Sequence, residues 1–173
     1  MHVFQPIDAN DLEINPFELY GKHWGAVTAM NGKKVNAMTI AWGGMGVLWG
    51  VNTATIYVRQ TRYTKEFLDA SDTFSISFFN DTYKGALKYL GQVSGRDEDK
   101  IKNARLHVNL QDETPFIDEA NFVLICKKLY CLDLPTDHFT EGGDGMAEKF
   151  YSDEDAGNIH TMYIGQILTM MAR

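Results

Sequence analysis

Arginine and hydroxyl side chains are concentrated in one short stretch of this 173-residue chain. The stretch holds three cations interleaved with three hydroxyl-bearing residues: Arg59, Thr61, Arg62, Tyr63, Thr64 and Lys65. It lies where a strand-like run, TATIYV, passes into a short helical pattern, so N–H groups at a helix start add to the guanidinium donors. These residues predict a cradle for a phosphate group. An exposed loop whose cations pair with Glu66 and Asp69 explains the same pattern equally well.

The charge around this stretch differs from that of the whole chain. Lys and Arg against Asp and Glu number 3 and 4 over residues 1–55, 9 and 7 over 56–105, and 4 and 12 over 106–173, which sum to 16 and 23. A second turn in the basic third, Ser94-Gly95-Arg96-Asp97, offers backbone donors and another cation. A basic segment inside an acidic protein favours a small anionic ligand over a polyanion.

The charge total and the composition exclude several classes of protein. A net charge of −7 and a pI near 5.1 argue against a nucleic-acid partner. No apolar run approaches the roughly 18 residues of a membrane-spanning helix, and the N-terminal residues lack the apolar stretch of a secretory signal. The two cysteines, Cys126 and Cys131, lie on one predicted strand and favour no local bridge. We therefore expect a cytoplasmic protein with no membrane partner.

Two tempting motifs do not carry a function. The glycine-rich run Gly43–Gly50 has Trp49 where a dinucleotide fingerprint needs its third glycine, and no helix follows it. We interpret it as a flexible or tightly turning connector whose Trp42, Leu48 and Trp49 are available to pack at an interface. The five histidines show no paired spacing, so no metal site is expected.

The elements that must position the cationic stretch are mostly strands. Alternation and β-branched or aromatic content predict six strands: residues 23–30, 35–42, 53–58, 73–79, 122–134 and 161–171. An Asn31-Gly32 hairpin joins the first two. Helical patterns cover residues 64–70, 81–90 and 96–104, with Thr64 and Asp81 as expected N-caps and Gly91 as a terminator. Strands that follow one another without long helices predict a mainly β, antiparallel barrel with accessory helices, in one domain over residues 1–173.

Several motifs in register extend this interpretation over residues 17–170. They are, in chain order, NAMTIAWGG from Asn36, YVRQTRYT from Tyr57, SFF from Ser77, SGRDEDK from Ser94, KKLY from Lys127 and HTMYIG from His160. Together they resemble the flavin reductase-like FMN-binding split-barrel family, and its flavoredoxin-type branch most closely. Two departures are Gln60, where proline is common in the family, and the insertion-like Glu141–Gly145.

The resemblance implies a six-stranded antiparallel Greek-key barrel that forms a homodimer and holds FMN near the subunit interface. Carried over by position, the residues that bind the cofactor are Asn36, Ala37, Met38 and Thr39 at the isoalloxazine edge, Arg59, Thr61, Arg62, Tyr63 and Thr64 on the phosphate, Ser77, Phe78 and Phe79 against the flavin, and Ser94, Gly95, Lys100 and Lys84 on the phosphate side. His160 matches a histidine that contacts the flavin or the nicotinamide.

The function implied is that of an FMN-binding oxidoreductase, a flavin reductase that passes electrons from NADH or NADPH to bound flavin and on to a small-molecule or protein acceptor. No acid–base pair or nucleophile is needed, because the flavin carries the redox chemistry. Two alternatives stay open. One is a flavoredoxin-type electron carrier reduced by a protein partner, and the other is a non-catalytic module that binds FMN or haem.

Overall fold

The computed structural model of the chain describes residues 3–173. Its strands are β1 (Gln5–Pro6), β2 (Gly25–Asn31), β3 (Lys34–Ile40), β4 (Gly43–Leu48), β5 (Val51–Arg59), β6 (Thr73–Phe78), β7 (Val108–Gln111), β8 (Thr114–Ile117), β9 (Phe122–Asp133) and β10 (His160–Ala172). Its α-helices are α1 (Pro16–Glu18), α2 (Tyr63–Ala70), α3 (Lys84–Gln92), α4 (Lys100–Asn103) and α5 (Asp144–Tyr151). A π-helical turn, Leu19–His23, follows α1 directly.

The strands form one large antiparallel sheet, which confirms the predicted fold class. Its order is β3-β2-β6-β9-β10-β5-β4, with β1 added beside β10, while β7 and β8 pair separately. The six predicted strands are therefore present, and β1 and β4 extend them. Strand β3 also lies against β5, which is five places along the same sheet. The sheet thus curls round until these two strands come together.

The hairpin between β2 and β3 forms where the Asn-Gly pair predicts it. Asn31 pairs with Lys34, and Gly32 has a φ of 59°, which glycine adopts without a steric penalty.

Two clusters of apolar side chains cover the two faces of the sheet. On β9, Leu124 and Cys126 belong to the first cluster, while Val123 and Ile125 belong to the second. Neighbouring residues of a strand point to opposite faces, so both faces of β9 are buried here. The second cluster includes Leu87 of α3, which covers that face.

Strand β6 is buried on both faces, not on one as its alternating pattern predicts. Ser75 and Ser77 have no exposed surface. The Ser75 hydroxyl donates to the Pro115 carbonyl over 2.6 Å, and the Ser77 hydroxyl accepts from the Ile117 N–H over 3.2 Å. Strand β8 thus satisfies the serines and covers the face that the pattern assigns to solvent.

The predicted helix ends are partly wrong. Helix α2 begins one residue early, with Arg62 and not Thr64 at the N-cap position. Asn80, not Asp81, caps the following 3₁₀ turn, and α3 continues through Gly91 to Gln92. In each case a neighbouring side chain or a packed face decides the boundary, which local propensity leaves open.

The third predicted helix, over residues 96–104, shortens to α4. Its side chains are not all exposed as expected, because Lys100 and Ile101 are buried. Tertiary packing under α3 therefore overrides the polar character of the local sequence.

The glycine-rich run is a strand and not the connector that we expected. Gly43–Leu48 pairs with β5 along its full length, and a two-residue turn at Trp49 and Gly50 joins the two strands. Both turn residues have positive φ, 54° and 75°. A Cβ at Gly43 would lie 2.4 Å from Cε1 of Tyr20, so only glycine lets β4 approach this ring.

A long segment leaves the sheet between its two longest strands. Asp133 of β9 pairs with Thr161 of β10, yet residues 134–159 separate them. We call residues 134–159 the acidic strap, because it holds seven acidic residues and one basic one: Asp137, Glu141, Asp144, Glu148, Asp153, Glu154 and Asp155 against Lys149. Loops of this length in compact domains usually carry a function.

Within residues 3–173, no helix has both the length and the apolar character needed to cross a membrane.

Candidate functional site

A cavity of about 320 Å³ lies at the C-terminal end of β5, where most of the predicted phosphate ligands meet. We call it the cationic cavity. The residues that line it are Met38, Arg59, Thr61, Arg62, Tyr63, Thr64, Gln92, Val93, Ser94, Lys100, Asp155 and Asn158. The end of β5, the first turn of α2 and the segment after α3 therefore bring three cations, two threonines, a tyrosine and a serine to one place.

Arg59 is held by the acidic strap. Its Nη1 donates to the Asn158 carbonyl over 3.0 Å, and its Nη2 donates to the Phe150 carbonyl over 3.0 Å. Nη1 also lies 3.2 Å from Oδ1 of Asp155. The strap thus fixes the guanidinium at the cavity wall and places one carboxylate beside it.

Arg62 and Lys100 supply positive charge from the other side. Nη1 of Arg62 donates to the Gly91 carbonyl over 2.9 Å. Lys100 is 5% exposed, and its Nζ donates to the Leu90 and Val93 carbonyls over 2.9 and 3.0 Å. Burial, and then the nearby charge of Arg62, lower the pKa of Lys100 to about 8. An anion between the two cations would relieve this repulsion.

The polar residues between these cations are positioned by short contacts within the site. The Thr61 N–H donates to Oδ1 of Asn158 over 3.3 Å. The buried Thr64 hydroxyl accepts from Nδ2 of Asn36 over 2.8 Å. A Cβ at Gly95 would lie 2.2 Å from Oδ1 of Asn36, so a glycine is required where the loop passes this amide. Asn36 therefore joins β3 to α2 and to the loop that carries Ser94.

A second cavity of about 260 Å³ continues from the first. We call it the central cavity, and it is lined by Met38, Thr39, Ile40, Ala41, Trp42, Tyr57, Arg59, Arg62 and His160. The two cavities share Met38, Arg59 and Arg62 as walls. Together they make an elongated site with a cationic end and an aromatic end.

His160 lies at the aromatic end and is neutral near pH 7. Its Nδ1 lies 2.7 Å from the Tyr151 hydroxyl, and its ring centroid lies 5.0 Å from that of Trp42. Burial first, and then Arg59 and Arg62, lower the pKa of His160 to about 4. A neutral imidazole held by a phenol can present its other nitrogen to a ligand as donor or acceptor.

Some predicted cofactor ligands lie away from both cavities. Ser77, Phe78 and Phe79 are buried in the sheet and its two apolar clusters, and Ala37 is fully buried as well. Only the backbone of Ala37 is available beside the central cavity. Lys84 donates to the Lys22 and His23 carbonyls and lies 3.5 Å above the Trp24 ring. The structure thus assigns these side chains to packing.

Several lining residues escaped the sequence analysis. Trp42 was noted only as an interface candidate, and Tyr57, Tyr151, Asp155 and Asn158 were not singled out as ligands. The signal for the strap residues was weak, because the sequence marks only an insertion near Glu141–Gly145 and an excess of acid. Nothing local to residues 151–158 indicates that they return to β5.

A neighbouring cavity of about 420 Å³ lies on the other side of Tyr63 and Lys100. Although larger, it is lined by three consecutive acids, Asp97, Glu98 and Asp99. Arg96, its most prominent cation, is paired with Glu66 and lies 4.7 Å above the Tyr63 ring. This mixed charge makes it a weaker anion site than the cationic cavity.

The sequence matches the family model of the flavin reductase-like domain over residues 20–172. No curated protein matches the chain.

Solved structures match the fold over nearly the whole chain. An FMN-binding domain of a flavin reductase-like enzyme from Shewanella baltica is 16% identical, with a TM-score of 0.69, and the match covers 99% of this chain and 79% of that one. A flavoredoxin from Methanosarcina acetivorans is 19% identical, with a TM-score of 0.67, over 95% of this chain and 76% of that one. An NADH:FAD oxidoreductase from Streptomyces globisporus is 18% identical, with a TM-score of 0.61, over 87% and 76%. These similarities show a shared fold.

Proposed function

We propose that this chain, which belongs to the flavin reductase-like domain family, binds FMN in the joined cationic and central cavities and works as an NAD(P)H-dependent flavin reductase. The observation that carries the proposal is the pair Arg62 and Lys100 beside Arg59 at one end of an elongated site. The residues present fit a phosphate-bearing flavin, because the lowered pKa of Lys100 reports a surplus of positive charge there.

The cationic end binds and orients the phosphate in this proposal. Arg59, Arg62 and Lys100 supply the charge, and Thr61 and Ser94 supply further donors. Hydrogen bonds from charged donors to phosphate oxygens are roughly twice as strong as neutral ones. The anchored phosphate fixes the distance from this end to the aromatic end of the site.

The aromatic end receives the ring system. The chemistry that a bound flavin supplies is two-electron transfer between a nicotinamide and an acceptor. The backbone of β3 from Asn36 to Thr39 borders the ring, Trp42 and Tyr57 exclude water, and His160 offers a neutral donor or acceptor. Neutrality of His160 matters, because no proton is lost or gained at this imidazole around pH 7.

The proposal includes a homodimer. Exposed apolar side chains gather at the β4–β5 turn and on the outer half of β9: Val47, Leu48, Trp49, Tyr130 and Leu132. The ring centroids of Trp49 and Tyr130 lie 6.0 Å apart, so the two elements form one patch. Contiguous exposed apolar patches of this kind mark protein interfaces. The free thiols of Cys126 and Cys131 suit the reducing cytoplasm in which we place the protein.

An absorbance spectrum of the purified chain, followed by anaerobic addition of NADH and NADPH, tests the function. We expect flavin bands near roughly 370 and 450 nm that bleach with one of the nicotinamides. Colour that neither nicotinamide bleaches would point to the carrier function. A colourless chain that also fails to bind added FMN would contradict the proposal as a whole.

A further inference from the structure

A third cavity, of about 470 Å³, opens beside the central cavity and has no role in the function proposed above. It lies between α1, the π-helical turn and the start of β4. Aromatic and sulfur-bearing side chains make most of its wall: Phe17, Tyr20, Trp42, Met45 and Tyr57. We call it the uncharged cavity, because no residue that lines it among residues 3–173 has a charged side chain.

The uncharged cavity is continuous with the central cavity. Ala41, Trp42 and Tyr57 line both. A molecule in the uncharged cavity would therefore lie against the aromatic end of the elongated site, within contact of whatever ring occupies it. The opposite end of that site is bordered by the acidic strap through Asp155 and Asn158. The uncharged cavity is thus the approach to the aromatic end that avoids the strap.

The wall chemistry selects against charged molecules. A charge moved from water into an apolar site without a partner costs several kcal/mol or more, and this wall offers no partner of opposite sign. Its polar groups are weakly engaged, since the Tyr20 hydroxyl reaches the Gly44 carbonyl only at 3.4 Å. Burial raises the pKa of Tyr20, so its hydroxyl stays protonated and can donate to an oxygen substituent.

The backbone around the cavity is built around open space. A π-helical turn, rare in proteins and frequent at functional sites, places Tyr20 and Gly21 on the wall. Gly43 is in close contact with Tyr20, whereas a Cβ at Gly44 would meet no atom within 4 Å. The volume lies within the range of small-molecule sites.

We propose that the uncharged cavity binds the second redox substrate, an uncharged planar ring compound with an oxygen substituent, of the quinone and hydroquinone class. The inference rests on the proposed function for the electrons. Reduction of a quinone takes up two electrons and two protons and breaks two C=O π bonds to form two O–H bonds. The dihydronicotinamide gives hydride, which is both electrons and one proton, and solvent gives the other proton.

Calorimetric binding of two naphthalenes tests the site directly, without turnover. 2-Naphthol is neutral at pH 7 and stands in for the hydroquinone, while naphthalene-2-sulfonate has the same rings and a fixed charge. We expect 2-naphthol to bind at least about tenfold more tightly to the wild-type chain, with or without FMN. Equal binding of the two compounds would overturn the proposal.

Glycine variants locate the binding. Gly44→Glu places a carboxylate in the cavity, and we expect it to weaken 2-naphthol binding at least about tenfold, with a smaller loss for Gly44→Gln. Gly46→Glu is the matched control, since Gly46 lies on the same strand, meets no atom within 4 Å and does not line the cavity. The same loss in Gly46→Glu would overturn the assignment.

Two parallel measurements separate this inference from other outcomes. Sedimentation of Gly44→Glu should match that of the wild-type chain, and dissociation of a dimer would show that a second copy covers the cavity and would overturn the proposal. FMN titration of the wild-type chain reports on the proposed function alone. Absence of FMN binding together with selective 2-naphthol binding would contradict that function and leave the ring site standing.

Discussion

The end of β6 and the end of β5 carry similar side chains and have opposite fates. Both hold hydroxyl and aromatic residues, and both resemble family positions that contact flavin. Ser77 and Phe78, on β6, are buried, with Phe78 packed between Tyr20 and Phe122. At the end of β5, Arg59 lines two cavities.

The difference follows from position in the sheet. Strand β6 lies between β2 and β9, and apolar clusters cover both of its faces. Arg59 is the last residue of β5, where the chain leaves the sheet for α2. Side chains in the middle of a sheet contribute to packing, while those at strand ends and in the following loops are free to meet ligands. A motif on an inner strand is therefore weaker evidence for a site than the same motif at a strand end.

Removing both arginines tests the cavity side of this comparison most strongly. We expect Arg59→Ala combined with Arg62→Ala to weaken FMN binding by about 3–6 kcal/mol, because two charge-assisted contacts to phosphate are lost. Fluorescence titration of FMN measures this effect. Lys33→Ala combined with Lys88→Ala removes the same charge from exposed positions that line neither cavity, and it should change the affinity little. Equal affinity in the arginine variant would mean that the phosphate lies elsewhere.

Truncating Phe78 tests the packing side. Phe78→Ala should lower the free energy of unfolding by about 3–5 kcal/mol, because the ring is 2% exposed and leaves a cavity among other aromatic rings. Denaturant unfolding measures it. Phe17→Ala is the matched control, since Phe17 is 87% exposed and its truncation should cost less than about 0.5 kcal/mol. Similar losses in the two variants would break the distinction between core and rim.

The pH dependence of FMN binding tests Lys100. The pKa of Lys100 is lowered to about 8, so the charge that attracts phosphate is present below this pH and is lost as pH rises through it. Affinity should therefore fall above pH 8, by about tenfold at pH 9 relative to pH 7. Lys100→Gln keeps donors for the Leu90 and Val93 carbonyls and should bind FMN more weakly, with a flat profile. A profile that stays steep in this variant would assign the titration to another group.

The smallest effect concerns the acidic strap. Asp155→Asn removes the carboxylate that lies 3.2 Å from Arg59, and FMN affinity should rise by about two- to fivefold, because half-exposed ion pairs contribute little. Glu154→Gln removes a neighbouring charge and serves as the control. If both variants raise affinity equally, the strap acts through its overall charge and not through the contact with Arg59.

Much of the fold followed from local patterns. The six main strands, the Asn31-Gly32 hairpin and α2 were predicted within a few residues, since side-chain alternation and turn preferences depend on neighbours along the chain. The glycine-rich run defeated the same reasoning. Its glycines indicate a connector locally, but they allow β4 to pass close to Tyr20 and to pair with β5.

The candidate site was half predictable. The residue types between Arg59 and Thr64 indicate a phosphate site without knowledge of the fold, because few other ligands need that set of donors. The burial of Ser77 and Phe78 and the placement of Lys100 under α3 were not predictable. Each depends on an element that arrives from elsewhere in the chain, such as β8 over Ser77.

The sequence by itself determined the mainly β character, the position of the cations and the family resemblance, because each is encoded in short stretches of neighbouring residues. Only the tertiary structure decided which of those residues share a cavity. Arg59 meets the carbonyl of Asn158, 99 residues away, and Tyr151 meets His160 only because the strap returns to β5. Such contacts arise from the pairing of β9 with β10 and from the charge of the strap, and no local pattern near Arg59 records either.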